Sequence, residues 1–202
     1  MSHYFHTPEG PGHRRDVYAH VWDLDLTLVA ADGVFSGGRL DPGTAVLLRE
    51  TEPPEGVTRL LDLGCGFGPI AVALALRVPG ASVDAVDVNE RAIDLTRLNA
   101  ERHGVADRVR VGTPAEMDPD VRYDEIWSNP PIRIGKSALH DLLTTWLARL
   151  APTGVARLVV GKNLGADSLA RWLSEAGWAV TRAASSKGYR VLEVRPGGPS
   201  RD

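Results

Sequence analysis

Leu60-Leu61-Asp62-Leu63-Gly64-Cys65-Gly66-Phe67-Gly68 is the stretch on which the reading of this chain turns. A short apolar run, residues 59–63, ends in glycines at alternate positions, and a mostly apolar helical stretch, 69–78, follows at once. Alternate glycines let the backbone turn sharply and let a ligand approach without Cβ interference. In an open α/β sheet such a turn lies at the carboxyl end of a strand, where ligands bind. Asp87 ends the next β-type run, 82–87, about twenty residues further on, where a carboxylate can accept the hydroxyls of a ribose. Three readings stay open for the loop. It can serve strand–helix packing alone. It can belong to a dinucleotide enzyme, because Gly66-x-Gly68-x-x-Ala71 satisfies the loose GxGxxA pattern. It can hold a nucleoside cofactor without a pyrophosphate, which fits a pattern that starts late after the strand and has Asp62 just before it. Asp62 either contacts that cofactor or caps the following helix. Cys65 reads as a small residue packed in the turn.

Outward from the loop, β-type runs alternate with helical stretches. Residues 90–103 read as a helix, 108–111 and 123–127 as strands, 138–150 as a helix, 155–160 as a strand and 168–176 as a helix. The last two runs, 178–183 and 189–194, flank Ser185-Ser186-Lys187-Gly188 and read as a terminal hairpin. The alternation predicts an α/β, Rossmann-like fold, a mostly parallel seven-stranded sheet with a C-terminal antiparallel hairpin and helices on both faces. Upstream, 17–22 and 26–30 suggest a small hairpin, and Leu40-Asp41-Pro42-Gly43-Thr44 leads into an apolar run, 45–48. The organisation expected is one domain, 1–202, with a hairpin and covering segment at 1–56, a core at 57–196 and a tail at 197–202.

The composition, 43% apolar and 24% charged, is that of a chain that folds around a core rather than a disordered one. A lone cysteine cannot form an internal disulfide, and the polar N-terminus has no apolar signal core, so a cytoplasmic location is expected. No apolar stretch is long enough to span a bilayer, so no membrane association is expected. The net charge of −3 counts mildly against a nucleic-acid partner. Binding needs only a local basic patch, however, and basic residues outnumber acidic ones from Arg133 onward. The five tryptophans fall in strand or helix patterns and read as core or half-buried packing residues.

Ser128-Asn129-Pro130-Pro131-Ile132 follows the apolar run 123–127. Asn-Pro turns are common, but this one sits at the end of the fourth strand of the main body. An exocyclic amine on a purine is a poor nucleophile, its lone pair being delocalised into the ring. The Asn129 side-chain oxygen and the Pro130 carbonyl can each accept one of its N–H groups. That would aim the lone pair and favour the positive charge that develops on nitrogen during attack. Prolines keep the acceptors in place, and no metal is expected.

These residues resemble the small-domain methyltransferase family over nearly the whole chain. The likeness is carried by His3-Tyr4-Phe5, Gly33-Val34-Phe35-Ser36, Leu40 to Thr44, and the glycine loop from Asp62 to Ile70. Further along it is carried by Val86-Asp87-Val88-Asn89-Glu90-Arg91-Ala92, Asn129 to Lys136, Gly161 to Ala166, and Lys187 to Val191. The resemblance implies a class I fold and S-adenosylmethionine as cofactor. It implies methyl transfer to guanine N2 in small-subunit ribosomal RNA, with ribosomal RNA or the small subunit as partner. On the cofactor side it points to Phe35, Thr44, Asp62, Gly64, Cys65, Gly66, Gly68, Asp87, Val88, Thr113 and Asn129. At the reacting centre it points to Asn129, Pro130, Pro131 and Ile132. Arg133, Lys136, Lys162, Lys187 and Arg190 are candidates to hold RNA, against the usual fate of such residues as solvated surface charge.

Two departures stand out. Relatives of two domains carry an extra N-terminal domain, so RNA is expected to be placed here by this domain, a dimer or the assembled subunit; monomer and homodimer both stay open. Thr113 stands where relatives have an aspartate near the adenine, leaving Thr113, backbone amides or Glu116 for that contact. Ile132 stands where adenine and glutamine methyltransferases place an aromatic. A tRNA base, a small molecule or a protein glutamine remains an alternative substrate, a non-catalytic binding protein an alternative class.

Overall fold

The computed structural model describes residues 12–34 and 39–198. It opens with a hairpin, β1 (Arg14–Val21) and β2 (Leu24–Ala31), followed by helix α1 (Pro42–Glu50). Two strand–helix pairs come next, β3 (Arg59–Leu63) with α2 (Pro69–Arg77) and β4 (Ser82–Val86) with α3 (Glu90–Arg102), then the strands β5 (Val109–Gly112) and β6 (Tyr123–Ser128). The chain continues with α4 (Lys136–Leu147), β7 (Leu150–Gly161) and α5 (Ala166–Glu175), and closes on β8 (Ala179–Ser186) and β9 (Tyr189–Arg195).

Seven strands form one sheet in the order β5-β4-β3-β6-β7-β9-β8, and β1-β2 form a separate two-stranded ribbon. The pairs from β5 to β7 are parallel, whereas β9 runs antiparallel to both β7 and β8. This is the Rossmann-like sheet with a terminal hairpin that the alternation predicted. Strands β3, β4 and β6 are buried almost end to end, as required of parallel strands covered on both faces. One core joins α1, α2, α3 and the β1-β2 ribbon to one face, through residues such as Leu28, Leu47, Val72 and Trp127. The other joins α4 and α5 to the opposite face, through Leu143, Trp146, Leu169 and Leu173. The order reverses between β3 and β6, and there the strand ends leave a crevice suited to a ligand.

The ribbon is bonded to this body. Asn99 on α3 is fully buried; its Oδ1 accepts the Val29 N–H at 2.7 Å and its Nδ2 donates to the Val29 and Phe67 carbonyls. Trp22, in the hairpin turn, donates to the Thr51 carbonyl and meets Trp127 edge-on at 5.9 Å between ring centroids.

One run without an assignment in the sequence reading is helical, and one expected helix ends early. The apolar run 45–48 belongs to helix α1, started by Asp41, whose carboxylate accepts the N–H groups of Gly43 and Thr44. The helix expected over 138–150 stops at Leu147, and Leu150 already pairs with Tyr123 as the first residue of β7. Gly154 allows that early pairing, because a Cβ there would lie 2.9 Å from the Tyr123 carbonyl oxygen. Among the described residues no helix is long and apolar enough to cross a membrane.

Candidate active site

The loop after β3 is held from below. The Gly64 and Cys65 amides donate to the Val86 carbonyl at 2.8 and 3.0 Å, and the Gly66 amide donates to Asp87 Oδ2 at 2.9 Å. Gly64 and Gly66 adopt φ of 77° and 59°, the left-handed region that favours glycine. A Cβ on either would meet nothing within 4 Å, so both glycines face open space. Gly68 differs: a Cβ there would press on Thr96 Cγ2 at 2.9 Å, so this glycine serves the close packing of α2 on α3.

The two acidic residues of this region divide as follows. Asp87 braces both loops at the crevice, accepting from Gly66 with one oxygen and from the Asn89 amide with the other. Burial holds its carboxyl above the usual carboxylate range. Asp62 lies fully buried beneath the loop, where its Oδ2 caps α2 by accepting the Ala71 amide at 3.0 Å. Its Oδ1 is without a partner. Burial, reinforced by the nearby Asp87 charge, pushes Asp62 up to about 8.

A cavity of about 910 Å³ runs along the carboxyl ends of the central strands. Thr44, Gly64, Cys65, Gly66, Asp87 and Val88 line it, together with Asn129, Pro130, Pro131 and Ile132. The cofactor-side and reacting-centre candidates therefore largely meet in one place. Asp62, Gly68 and Thr113 are not on its wall. Thr113 is engaged locally, its amide and hydroxyl both donating to Glu116 Oε2, and Pro114 stands at the wall instead. Gly33 and Val34 line the cavity and are tied down by Asn89 Nδ2, which donates to the Gly33 carbonyl. Phe35 and the N-terminal His3-Tyr4-Phe5 lie outside the described residues.

The turn after β6 forms part of this wall. Pro131 has φ −74° and ψ 77°, the inverse γ-turn, and the Ile132 amide donates to the Pro130 carbonyl at 2.8 Å. Proline fixes φ near this value, so the turn is set by the residue itself. The Pro130 oxygen keeps a second lone pair. Asn129 Nδ2 donates to Asp41 Oδ1 at 2.7 Å and to Thr44 Oγ1 at 3.1 Å. A carboxylate can only accept, so the NH₂ group must face Asp41. Asn129 Oδ1 is thereby left free of protein partners among the described residues. Asp41 is the residue that sequence reasoning missed as part of the site. Its signal was present in Asp41-Pro42-Gly43-Thr44, a helix start with an acidic cap and proline in the first turn.

Of the basic candidates, Arg133 lines the cavity. Lys136 opens α4 and is exposed. Lys162 and Lys187 are exposed and close in space, the Lys162 amide donating to the Gly188 carbonyl at 2.7 Å. Arg190 is placed elsewhere. Strand alternation turns it to the opposite face from Tyr189, where it is buried and pairs with Asp167 of α5.

The chemistry of this cavity suits a nucleoside with an amino-acid tail. Asp87 retains acceptor capacity for hydroxyls, open glycines pass beneath, and Val88 and Pro114 offer apolar contact. A 3-2-1-4-5-7-6 strand order within the sheet, with a glycine loop and an acidic strand end at its switch point, defines a class I S-adenosylmethionine-dependent methyltransferase. The chain belongs to the methyltransferase small domain family, whose model matches residues 25–193.

Among its relatives, an uncharacterized Bacillus subtilis protein, YbxB, is 33% identical over 85% of this chain and 86% of its own length. The ribosomal RNA small subunit methyltransferase C of Ectopseudomonas mendocina is 37% identical over 89% of this chain and 56% of its own. Among solved structures, the T. thermophilus 16S rRNA N2 methyltransferase, in complex with AdoMet and guanosine, superposes with a TM-score of 0.74 at 26% identity. That match covers 94% of this chain and 52% of the other. The chain thus spans about half the length of the ribosomal RNA methyltransferases it matches.

Proposed function

We propose that this chain transfers a methyl group from S-adenosylmethionine to an exocyclic amino nitrogen, N2 of a guanine in small-subunit ribosomal RNA. The observation that carries the reaction type is the clamped Asn129 carboxamide, its NH₂ held by Asp41 and Thr44 and its oxygen turned free. The relatives' substrates support the choice of guanine and of ribosomal RNA.

The cofactor supplies, when bound, a methyl group already activated on a sulfonium. Asn129 Oδ1 and the Pro130 carbonyl accept the two N–H groups of the amine, which aligns its lone pair and stabilises the charge developing on nitrogen. Asp41 and Thr44 fix the carboxamide before substrate arrives, so no reorganisation is needed at the moment of transfer. Neither acceptor is a strong base, so the surplus proton of the methylated amine leaves to water. Thr44, Gly64, Cys65, Gly66, Asp87 and Val88 form the cofactor half of the cavity. Ile132 bounds the substrate half, and Arg133, Lys136, Lys162 and Lys187 hold phosphates at its mouth. A stacked target base has to be flipped out to reach Asn129.

The test is transfer of labelled methyl to small ribosomal subunits and to total RNA, both lacking native methylation, followed by nucleoside identification. Label in N2-methylguanosine of small-subunit RNA is the expected result. A protein that binds the cofactor yet labels no RNA would instead act on a protein or a small molecule.

A further inference from the structure

The substrate half of the cavity lacks an aromatic in its catalytic turn, where Ile132 stands. A flat surface nevertheless reaches the site from another element. Gly43, in the first turn of α1, marks a point of convergence. A Cβ at that glycine would lie 3.0 Å from Tyr189 Cε1, 3.0 Å from Asp41 Oδ1 and 3.2 Å from Asn129 Nδ2. The Tyr189 ring is therefore packed beside the clamp that holds Asn129. It lines the same cavity, is half-buried, and its hydroxyl makes no hydrogen bond among the described residues. Its register partner on β7 is Gly161, which offers no side chain to cover the ring. Leu164 folds over Gly161 at 3.1 Å from its Cβ position while remaining 49% exposed, which extends the apolar wall beyond the ring.

The half-buried Tyr189 ring therefore borders the cavity next to the Asn129 clamp, with its hydroxyl unengaged among the described residues. We infer that Tyr189 is a substrate-binding residue, the wall on which the target purine lies while Asn129 and Pro130 hold its amine. Its hydroxyl offers a further polar contact to the base edge. The choice of a purine rests on the function proposed above; the wall itself rests on the geometry.

The experiment compares wild type, Tyr189→Phe and Tyr189→Leu in two assays. One is equilibrium binding of labelled guanosine in the presence of S-adenosylhomocysteine; the other is methyl transfer to small ribosomal subunits. S-adenosylhomocysteine binding and thermal unfolding serve as folding controls. Loss of a base–aromatic stack weakens binding by about 10- to 100-fold. Tyr189→Leu is expected to weaken guanosine binding by at least about tenfold, raising KM more than it lowers kcat. Tyr189→Phe, keeping the ring, is expected to recover most of that loss. Equal guanosine binding by Tyr189→Leu and wild type overturns the inference, and so does a wild type that binds no guanosine. If ribosomal RNA is methylated but Tyr189→Leu behaves as wild type, the inference fails while the proposed function stands. If no RNA is methylated but Tyr189→Leu still loses guanosine, the wall stands and the RNA substrate falls.

Discussion

At the scale of single residues, the candidate site turns on one carboxylate that holds another side chain in place. Asp41 Oδ1 accepts from Gly43, from Thr44 and from Asn129 Nδ2, so it both starts α1 and orients the carboxamide. Three substitutions separate these effects from direct contact. Asn129→Ala removes an acceptor but leaves the clamp; transfer should fall by about 10²-fold or more while cofactor affinity, measured by calorimetry, stays near that of wild type. Turnover equal to wild type would sink the acceptor role. Asp41→Ala removes cap and clamp together, and should cost about 1 kcal/mol of stability in urea unfolding as well as slowing transfer. Asp41→Asn keeps a good helix cap and should recover the stability. If Asp41→Ala lowered stability with transfer intact at a temperature where it is folded, the orienting role would be refuted.

At the scale of elements, what could be read from the sequence is what is local. The glycine loop, Asp87 and Asn129 each follow directly on an apolar strand run, so the chain itself showed them at strand ends. The hairpin of β8 and β9 was legible from its polar turn. Strand order was not, because the pairing of β3 with β6 is a matter of tertiary packing, and the Asp41–Asn129 bond joins residues 88 apart. Arg190 was misplaced for a related reason: one residue along a strand changes the face, and its facing partner, Asp167, sits on another element. Asp62 was open between cap and cofactor contact, and at the β3–α2 junction it is at least the cap.

That junction carries a pH dependence. Burial pushes Asp62 up to about 8, so the folded chain holds its proton more tightly than the unfolded chain. The contribution to stability is full below about pH 4, the ordinary aspartate range, and is lost as pH rises through about 8. Asp62→Asn keeps an acceptor for the Ala71 amide without the titration. Between pH 5 and 8 the wild type should lose stability relative to Asp62→Asn by up to about 1.4 kcal/mol per pH unit. The check is urea unfolding of both proteins across that range; parallel curves would remove Asp62 as the titrating group.

At the scale of the whole molecule, a chain with a net charge of −3 would hold the proposed RNA only through a local basic surface. Four basic side chains lie on elements next to the cavity: Arg133 on its wall, Lys136 at the start of α4, and Lys162 beside the β8–β9 turn that carries Lys187. These belong to separate elements brought to one end of the sheet, so their joint effect is a property of the fold. Each phosphate contact to single-stranded RNA steepens the log–log dependence of binding on salt by about 0.7. Replacing Lys136, Lys162 and Lys187 together by Gln should lower kcat/KM on small subunits and flatten that dependence by up to about 2. Cofactor binding should be unchanged, because none of the three lines the cavity. Arg190→Gln is the contrast, expected to leave the salt dependence alone and lower stability, since it removes a buried side chain that pairs with Asp167. Transfer rates from 50 to 300 mM KCl would decide. A triple variant with an unchanged salt dependence would mean that RNA reaches Asn129 across a different face of the molecule, and an Arg190 variant that flattened it would return that residue to the mouth.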